Sequence, residues 1–263
     1  RVVSTLDAAD VVLCEDTRVT GKLMAAFGLH THLERCDENV IEQRVPTVLD
    51  RLRAGEHVAF VSDAGMPGVS DPGQRLVDAA LDEGLAVEVI PGPSAVTCAL
   101  VASGLASEHF FFEGFLPRRK SAQVTRLREL ALVPGTIVCY ESPRRVAETL
   151  ANVAEVFPAR RAALVRELTK LHEECVRGMS AELAAEVAAR GEVRGECVVV
   201  IAAPDAAELE DRRRAASGGP STLEEAIAQG LAAGEPKSAL AKRLAKSFSL
   251  PKAEVYDKIL QLG

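Results

Sequence analysis

Two loops rich in glycine and proline each follow an apolar run in the first half of the chain. The first follows Val58–Val61 and holds two carboxylates, Asp63 and Asp71; the second is Pro91-Gly92-Pro93. Such loops can bring bare backbone close to a ligand, with a carboxylate at hand for a polar contact. The alternative is that Gly and Pro only punctuate strand-to-helix turns. Neither loop is a Walker loop or a GxGxxG loop, so neither phosphate motif applies.

Four further polar residues, Glu15-Asp16-Thr17-Arg18, follow an apolar run at 11–14. A strand that ends in polar groups places them at the carboxyl edge of a sheet, where ligands bind in open α/β folds. Capping of the following helix by the Asp or the Thr explains the same residues without any ligand. Both interpretations stay open from the sequence.

The elements around these residues predict a parallel open sheet. An apolar run at 58–61, a helix that ends at Gly84, a run at 86–90 and a helix capped by Ser94 give the order strand, helix, strand, helix. This order is typical of sheets whose ligands lie at the carboxyl ends of the strands.

The composition of the chain changes at Pro117, where a proline precedes three basic residues, and this change predicts a domain hinge. Beyond it, strands at 136–140, 162–168 and 195–203, with a hairpin partner at 173–177, predict a mixed sheet.

A helix start is predicted at Ser142, because Ser142 suits the N-cap and Pro143 the first helical position. Arg144 and Arg145 would then lie in the first turn, where they oppose the helix dipole. A cationic first turn suggests a bound anion, and solvated arginines are the alternative.

The last part of the chain reads as a linker and a helical module. Residues 205–220 contain few large apolar side chains, Ser221 and Glu224 have the spacing of a capping box, and two short helices follow it. The predicted organisation is an N-terminal α/β domain with the glycine-rich loops, a second α/β domain, a linker and a helix-turn-helix-like module, at 1–116, 117–204, 205–220 and 221–263.

Composition predicts a cytoplasmic protein without a membrane span. The chain has 263 residues, of which 48% are hydrophobic, and no apolar run approaches the length of a membrane helix. Its six cysteines include no CxxC pair, which favours a reducing compartment. His30, His32 and Cys36 fit no standard zinc spacing, so no metal site is predicted.

The charge is distributed unevenly along the chain. The formal net charge is −7, yet residues 117–177 carry 12 Lys and Arg against 7 Asp and Glu, and residues 237–258 carry 6 against 2. Residues 1–116 carry 8 against 18. Because binding depends on the local field, an acidic first part does not exclude RNA at the basic parts.

Several long motifs carry a resemblance to a known family. VSDAGMPGVSDPG and VIPGPSA resemble the paired cofactor loops of the tetrapyrrole-methylase superfamily, which bind S-adenosylmethionine. CEDTRVTGKLMAAFGL, FFFEGFLPRRK, YESPRRV and VRELTKLHEECVRG resemble, in order and spacing, the branch that methylates a ribose 2′-hydroxyl of small-subunit ribosomal RNA. The resemblance runs from about residue 6 to residue 201, with a weaker match in the tail. In that family a strand and a Pro-x-Gly-Asn loop come before the point where this sequence starts.

The resemblance implies two α/β domains of tetrapyrrole-methylase type, S-adenosylmethionine as cofactor, small-subunit ribosomal RNA as partner and a homodimer. The cofactor residues that it implies are Asp63, Gly65, Met66, Val69, Ser94, Ala95, Tyr140, Glu141 and Leu168. Asp63 and Asp71 both remain candidates for the polar contact, because the chain has Gly65-Met66-Pro67 where relatives commonly have Gly-Asp-Pro. Asp16 and Arg18 are the catalytic candidates, with Asp16 as the nominal base. The expected RNA contacts are Arg118, Arg119, Lys120, Arg144, Arg145, Lys170, Lys242, Arg243 and Lys252.

Two other functions stay open at this point. A methyltransferase that acts on a tetrapyrrole ring would share the cofactor loops but would have no use for the basic motifs at 118 and 144. A nonenzymatic RNA-binding assembly factor would keep the basic motifs but would not need the cofactor.

Overall fold

The structure is a computed structural model that describes residues 1–62, 65–71, 73–105, 108–216, 222–248 and 250–262. The chain divides into two compact units, residues 1–98 and residues 99–263. Within the described ranges, none of the helices combines the length and the apolar character that crossing a membrane requires.

The first unit is built on a three-stranded parallel sheet in the order β2-β1-β3. Its central strand β1 (Val11–Cys14) is buried at every position and pairs with β2 (Leu33–Arg35) on one side and β3 (Val58–Val61) on the other. Successive side chains of β1 enter two different buried clusters, because a strand alternates its side chains between the two faces of the sheet. Both faces are therefore covered, as a parallel sheet requires.

Helices of the first unit cover the two faces of this sheet. α3 (Ile41–Arg53) and α4 (Gln74–Asp82) share a buried cluster with one face. α1 (Val2–Ala8) and α2 (Thr17–Ala26) share another with the opposite face. The next helix, α5 (Ala95–Ser103), spans the boundary between the two units.

The predicted strand at 86–90 is wrong, because residues 85–94 have no regular secondary structure. Among the described residues, no other strand pairs with this segment, and its Val89 is 62% exposed. An apolar alternation forms a strand only where a neighbour completes its hydrogen bonds. The apolar pattern of a segment does not report whether such a neighbouring strand is present.

The second unit contains a five-stranded sheet in the order β4-β5-β8-β6-β7. Only the β4–β5 pair is parallel, so the predicted mixed sheet is confirmed, and β6 and β7 form the predicted antiparallel hairpin. The strands are β4 (Phe110–Phe115), β5 (Thr136–Glu141), β6 (Arg161–Arg166), β7 (Glu174–Met179) and β8 (Cys197–Ile201).

The two compact units divide after residue 98, whereas the composition of the chain changes at Pro117. The basic run after Pro117 marks the change in composition, but β4 precedes it and already pairs with β5 from Phe110 onwards. Strand pairing therefore places 110–115 in the second unit. Composition alone does not report which sheet a strand joins.

Three helices share the main buried cluster of the second unit with β5, β6 and β8. Leu127, Leu150 and Val187 each lie on a different one of these helices and are fully buried. The helices are α6 (Lys120–Leu130), α7 (Val146–Val156) and α8 (Ser180–Ala189).

α7 begins at Val146, later than Ser142 and Pro143 predict. The carbonyl of Ser142 accepts hydrogen bonds from the backbone N–H groups of Arg145 and Val146, which closes a turn ahead of the helix. Arg144 and Arg145 therefore lie in this turn, with Arg145 at the N-cap, rather than in the first helical turn.

The expected linker at 205–220 contains a helix, α9 (Ala206–Ala216). Glu208 of α9 accepts two hydrogen bonds of 3.0 Å from Nε of Arg160, whose side chain is 2% exposed. Arg212 donates to the carbonyl of Val156 at 2.9 Å. Few large apolar residues are needed here, because ion pairs and backbone hydrogen bonds dock α9 on the second unit.

The tail forms a cluster of three helices, α10 (Leu223–Ala232), α11 (Lys237–Ser247) and α12 (Lys252–Leu262), around a common apolar core. The capping box of α10 consists of Thr222 and Glu225, one residue later than the Ser221–Glu224 pair expected from the sequence. Ser221 itself lies outside the described residues.

Candidate functional site

The three parallel strands of the first unit end together at one edge of their sheet. The register pairs Cys14 with Arg35 and with Val61, so the residues that follow each strand are neighbours. Ser62 donates a hydrogen bond of 3.1 Å from Oγ to Oε1 of Glu15. A cavity of ≈ 420 Å³ lies at this edge, and its lining residues are Glu15, Asp16, Thr17, Arg18, Arg35 and Asp37.

Asp16 caps α2 and holds the guanidinium of Arg18. Its Oδ1 accepts from the backbone N–H of Arg18 at 2.8 Å and from Nε at 3.0 Å, and its Oδ2 accepts from Nη2 at 2.6 Å. These hydrogen bonds hold the pKa of the Asp16 carboxyl well below its usual range. A carboxylate of such low pKa is a weak proton acceptor, so the geometry suits orientation of Arg18 better than general-base catalysis.

A second arginine–aspartate pair lies at the end of the neighbouring strand. Arg35 donates from Nε to Oδ2 of Asp37 at 2.7 Å, and Oδ1 of Asp37 accepts from the backbone N–H of Asn39 at 3.0 Å. The hydrogen bond from Arg35 lowers the pKa of Asp37. Sequence reasoning considered His30, His32 and Cys36 in this segment and missed Arg35. The available signal was the spacing, because both pairs combine Asp and Arg two residues apart at the end of a strand.

The glycine-rich loop after β3 has an unusual backbone. Gly65 and Gly68 have φ of 79° and 81°, and Ser70 has a φ of 56°. Oδ1 of Asp71 accepts from the backbone N–H groups of Gly68 at 3.3 Å and Gly73 at 2.8 Å. Asp71 thus holds the loop in shape, which occupies one of its oxygens. The other carboxylate considered for this loop, Asp63, lies outside the described residues.

Gly73 shows why this loop requires glycine beside the sheet. A Cβ atom at this position would lie 2.6 Å from Cε1 of Phe60, so any larger residue would displace the ring or the loop. The loop also presents the exposed Gly65 and the side chain of Val69, which is 41% exposed, whereas Met66 is half-buried.

The second predicted loop leads into α5. The carbonyl of Ser94 accepts from the backbone N–H of Cys98 at 3.0 Å and from Oγ1 of Thr97 at 3.2 Å, which fixes the first turn. Ser94 and Ala95 are both half-buried. Among the hydrogen bonds of the described residues, none joins this segment to the 65–71 loop.

Glu141 ends β5 inside the second unit. Its side chain is 0% exposed and accepts from the backbone N–H of Ser142 at 2.6 Å, from Oγ1 of Thr149 at 2.7 Å and from Nη2 of Arg145 at 2.5 Å. A buried carboxylate requires such partners, because burial of an unpaired charge is costly. Nη1 of Arg145 is also buried, and among the described residues it has no hydrogen-bond partner.

A buried polar network extends from Glu141 to Pro117, at the start of the basic run. Gln123 donates from Nε2 to Oγ1 of Thr149 at 3.1 Å and to the carbonyl of Pro117 at 3.2 Å. Asn152 donates to Oε1 of Gln123 at 2.5 Å. The network ties the start of the basic run to the strand end that carries Tyr140 and Glu141.

Tyr140 packs against two phenylalanine rings of the neighbouring strand. Its ring centroid lies 4.9 Å from that of Phe112 and 5.7 Å from that of Phe115. Burial raises the pKa of the Tyr140 hydroxyl. The residue therefore stays neutral and offers a ring face and a hydroxyl at the end of β5.

Leu168 lies between two residues with left-handed backbone. Glu167 and Thr169 have φ of 51° and 66°, which is uncommon for residues other than glycine and concentrates at functional sites. Glu167 and Glu196 exchange two hydrogen bonds of 3.0 Å, which hold this turn against the next loop. The side chain of Leu168 is half-buried.

The predicted RNA contacts fall into two groups. Some already form ion pairs: Lys120 with Glu155, Lys170 with Glu167 and Glu196, Arg145 with Glu141, and Arg243 with Glu235. The others are exposed, and among the ion pairs of the described residues they have none. These are Arg118, Arg119, Arg144, Lys242 and Lys252.

A family match and several similar proteins agree on one family. Residues 1–184 match the Tetrapyrrole (Corrin/Porphyrin) Methylases. A protein of Mesorhizobium japonicum named Ribosomal RNA small subunit methyltransferase I is 41% identical over 100% of this chain and 86% of its own length. Proteins of the same name from Mycobacterium tuberculosis and Streptococcus pyogenes serotype M1 are 43% and 36% identical over 99% and 100% of this chain, and each match covers 89% of the relative.

Solved structures share the fold. A cobalt precorrin-4 methyltransferase of cobalamin biosynthesis aligns with a TM-score of 0.58 and 21% identity over 76% of this chain and 86% of its own. A uroporphyrin-III C-methyl transferase from Thermus thermophilus, in complex with S-adenosyl homocysteine, aligns with a TM-score of 0.53 and 22% identity over 76% and 88%. The predicted α/β fold of tetrapyrrole-methylase type is thereby confirmed, and α10, α11 and α12 form the predicted helical tail.

Proposed function

Because the chain belongs to the tetrapyrrole (corrin/porphyrin) methylase family, we propose that it is an S-adenosylmethionine-dependent methyltransferase that methylates the ribose 2′-hydroxyl of a cytidine in small-subunit ribosomal RNA. One observation carries this proposal. The relatives named for the ribosomal RNA reaction match the whole chain, including the helical tail, whereas the family match ends at residue 184.

The residues present fit the cofactor at the glycine-rich loop. Gly65 and Gly68 adopt backbone conformations that favour glycine and leave bare backbone there, which suits the close approach of a nucleoside. S-adenosylmethionine supplies an electrophilic methyl group on a sulfonium. We assign Gly65, Met66 and Val69 to the cofactor, with Asp63 or the remaining oxygen of Asp71 as the polar contact. The other members of the set are Ser94, Ala95, Tyr140, Glu141 and Leu168.

Positioning is the main contribution that we assign to the chain. Transfer of a methyl group from sulfur to oxygen is an in-line displacement, and correct placement of two reactants supplies a large share of the acceleration. Asp16 fixes the guanidinium of Arg18 at the strand-end cavity, where Arg18 is suited to a phosphate of the acceptor. In this role Asp16 acts through Arg18, and its low pKa argues against the role of base.

The basic residues of the second unit and tail would hold the RNA backbone. Arg118, Arg119 and Arg144 have no described ion pair and are exposed, so they lose little on binding phosphate. Lys170, Arg145 and Lys120 would exchange or share their carboxylate partners. Lys242, Arg243 and Lys252 extend the same proposal to the tail, where helices with surface lysines are suited to phosphate contacts. A cytoplasmic location and a homodimer belong to this proposal as well.

Methyl transfer to three alternative acceptors tests the proposed function. The protein is incubated with tritiated S-adenosylmethionine and, in parallel, with small ribosomal subunits, free small-subunit RNA and a porphyrinogen. The proposal expects label in the ribosomal RNA of at least one RNA acceptor and none in the porphyrinogen. Label in the porphyrinogen alone would favour a tetrapyrrole methyltransferase. RNA binding without affinity for the cofactor in calorimetry would favour a nonenzymatic assembly factor.

A further inference from the structure

A second cluster of cationic side chains lies at the edge of the mixed sheet in the second unit. It surrounds a cavity of ≈ 210 Å³ where β6 ends and β7 begins. Three of its residues are arginines: Arg166 at the end of β6, and Arg190 and Arg194 at the end of α8 and just after it. We call this the arginine cavity, and its lining residues are Arg166, His172, Arg190, Glu192, Val193 and Arg194.

Carboxylates behind the cavity fix two of the guanidinium groups. Glu174 accepts from Nε of Arg166 at 2.6 Å and from Nη1 of Arg190 at 2.9 Å. Arg190 also donates from Nη2 to Glu186 at 2.6 Å, and Arg166 donates from Nη1 to the carbonyl of Arg194 at 3.1 Å. Nη2 of Arg166 and Nε of Arg190 have no partner among the described residues. Such fixed donors match the oxygens of a phosphate.

The third arginine is held by an exposed carboxylate at the cavity itself. Arg194 donates from Nε and Nη2 to Oε2 of Glu192, at 3.2 and 2.8 Å. Both side chains are open to solvent, Arg194 at 81% and Glu192 at 72%. An exposed ion pair of this kind contributes little stability, so an incoming anion can replace the carboxylate.

The arginine cavity lies at the same edge of the sheet as the turn that carries Arg144. Both Glu141, at the end of β5, and Arg166, at the end of β6, pair with Cys197 of β8. The neighbouring charges agree with this placement, because Arg194 and, to a smaller extent, Arg144 lower the pKa of Glu192. An RNA strand bound at Arg144 would therefore pass close to the arginine cavity.

We propose that the arginine cavity binds a backbone phosphate of the RNA substrate, with Glu192 as a carboxylate that the phosphate displaces from Arg194. This inference rests on the proposed function, since it takes RNA as the partner. It adds Arg190, Arg194 and the competing carboxylate of Glu192, which lie outside the sequence motifs, to Arg166, which lies within the motif VRELTKLHEECVRG. Recognition of phosphate would be independent of the base sequence.

Two opposite substitutions test the proposal on the full chain. Binding of a short fluorescent single-stranded RNA is measured across a salt series for the wild type, Arg194→Gln and Glu192→Gln. Arg194→Gln should weaken binding several-fold and reduce the slope of log K against log salt by about 0.7, the value for one phosphate contact. Glu192→Gln should tighten binding, because it removes the competitor of the phosphate. Both residues are exposed, so neither change should alter the fold.

A matched ion pair in the first unit serves as control. Arg75 and Glu42 form an exposed pair with side chains 45% and 77% exposed, and Arg75→Gln and Glu42→Gln should leave the salt slope unchanged. The inference is overturned if Arg194→Gln and Glu192→Gln shift binding in the same direction, if neither shifts it beyond the controls, or if the wild type does not bind RNA. Methyl transfer is recorded separately. Wild-type RNA binding with the opposite shifts but without methyl transfer would contradict the proposed function and leave the phosphate site standing.

Discussion

Two arginine–aspartate pairs, Asp16 with Arg18 and Arg35 with Asp37, set the charge pattern at the strand ends of the first unit. In each pair the aspartate also accepts a hydrogen bond from the backbone N–H two residues further on, so the backbone helps to fix the carboxylate that holds the guanidinium. Each carboxylate stays ionised because its pKa is lowered. The site is therefore suited to hold guanidinium groups in place rather than to transfer protons.

Asp16→Asn tests this role of Asp16. Asparagine caps a helix as well as aspartate, so α2 should remain intact, but the charge that orients Arg18 is lost. We expect S-adenosylmethionine affinity near that of the wild type in calorimetry and methylation slowed roughly tenfold, which corresponds to about 1.4 kcal/mol. The loss should appear mainly as a raised KM for RNA, because Arg18 is the residue that we propose to bind a phosphate of the acceptor.

Asp16→Ala separates the cap from the charge. Alanine cannot cap α2, so this variant should lose about 1 kcal/mol of unfolding free energy in urea titrations, while Asp16→Asn should not. Turnover of Asp16→Asn equal to that of the wild type would remove Asp16 from the mechanism. A fall in kcat with an unchanged KM would instead favour a role as base.

At this scale the sequence predicted residue types better than residue roles. Asp16 and Arg18 do lie at the end of a buried strand, as the apolar run before them indicated. Arg35 was missed because β2 is only three residues long and lacks a strong strand signal. The sequence did not predict the hydrogen bonds of Glu141 either, because one of its partners is the distant Thr149. Thr149 in turn accepts a hydrogen bond from Gln123, which lies on another helix.

α9 shows how an element with few apolar residues can still be docked. Burial alone would raise the pKa of Glu208, but hydrogen bonds from Arg160 and Arg212 outweigh it and lower the pKa. A carboxyl whose pKa is lower in the folded than in the unfolded protein stabilises the fold above its unfolded pKa of about 4.3. That contribution is lost as the pH falls through the folded pKa.

We therefore expect α9 to detach as the pH falls below about 4. Hydrogen exchange of the backbone amides at 206–216 should accelerate, relative to α7 as an internal reference, once intrinsic rates are corrected for pH. Glu208→Gln should show the faster exchange already at pH 7 and little further change with pH. Equal protection of α9 at pH 7 and below pH 4 would show that the ion pair does not dock it.

Gly230 fixes the distance between α10 and α11 in the tail. A Cβ atom there would lie 2.3 Å from Cδ1 of Leu240, a side chain that is fully buried and cannot move aside freely. Gly230→Ala should therefore destabilise the tail by about 1–3 kcal/mol despite the better helix propensity of alanine. Loss of helical circular dichroism at lower urea concentration would report it.

Gly21 of α2 provides the matched control for Gly230. A Cβ atom at Gly21 would meet only Cδ1 of Leu33, at 3.7 Å, which is an ordinary contact. Gly21→Ala should therefore raise stability by about 0.5–1 kcal/mol. Equal effects of the two substitutions would mean that α10 and α11 do not pack as closely as described.

Helices and strands were predicted well where the whole signal lies in one segment of the sequence. They were predicted poorly where the structure depends on pairing with a distant segment. The β6–β7 hairpin was found because both strands and their turn lie together in the sequence. The strand at 86–90 was wrong because pairing depends on a distant neighbour. The start of α7 was misplaced because the Ser142-Pro143 signal also fits the turn that precedes the helix.

The whole molecule combines an acidic first part with basic segments further on. Residues 1–116 have an excess of 10 acidic residues (18 against 8), and residues 117–177 have an excess of 5 basic ones (12 against 7). This distribution fits a protein that binds RNA through its second unit and tail, because phosphate binding depends on the local field. Net charge alone would have argued against RNA, and the family fold alone does not decide between a tetrapyrrole and a ribose.

The identity of the methylated product tests the central claim most directly. After reaction with small ribosomal subunits and labelled S-adenosylmethionine, the RNA is digested to nucleosides and the labelled nucleoside is identified by mass spectrometry. The account predicts 2′-O-methylcytidine, and a block to alkaline cleavage at a single position of the RNA. Label on a base, or no label in RNA from subunits that lack the modification, would contradict it.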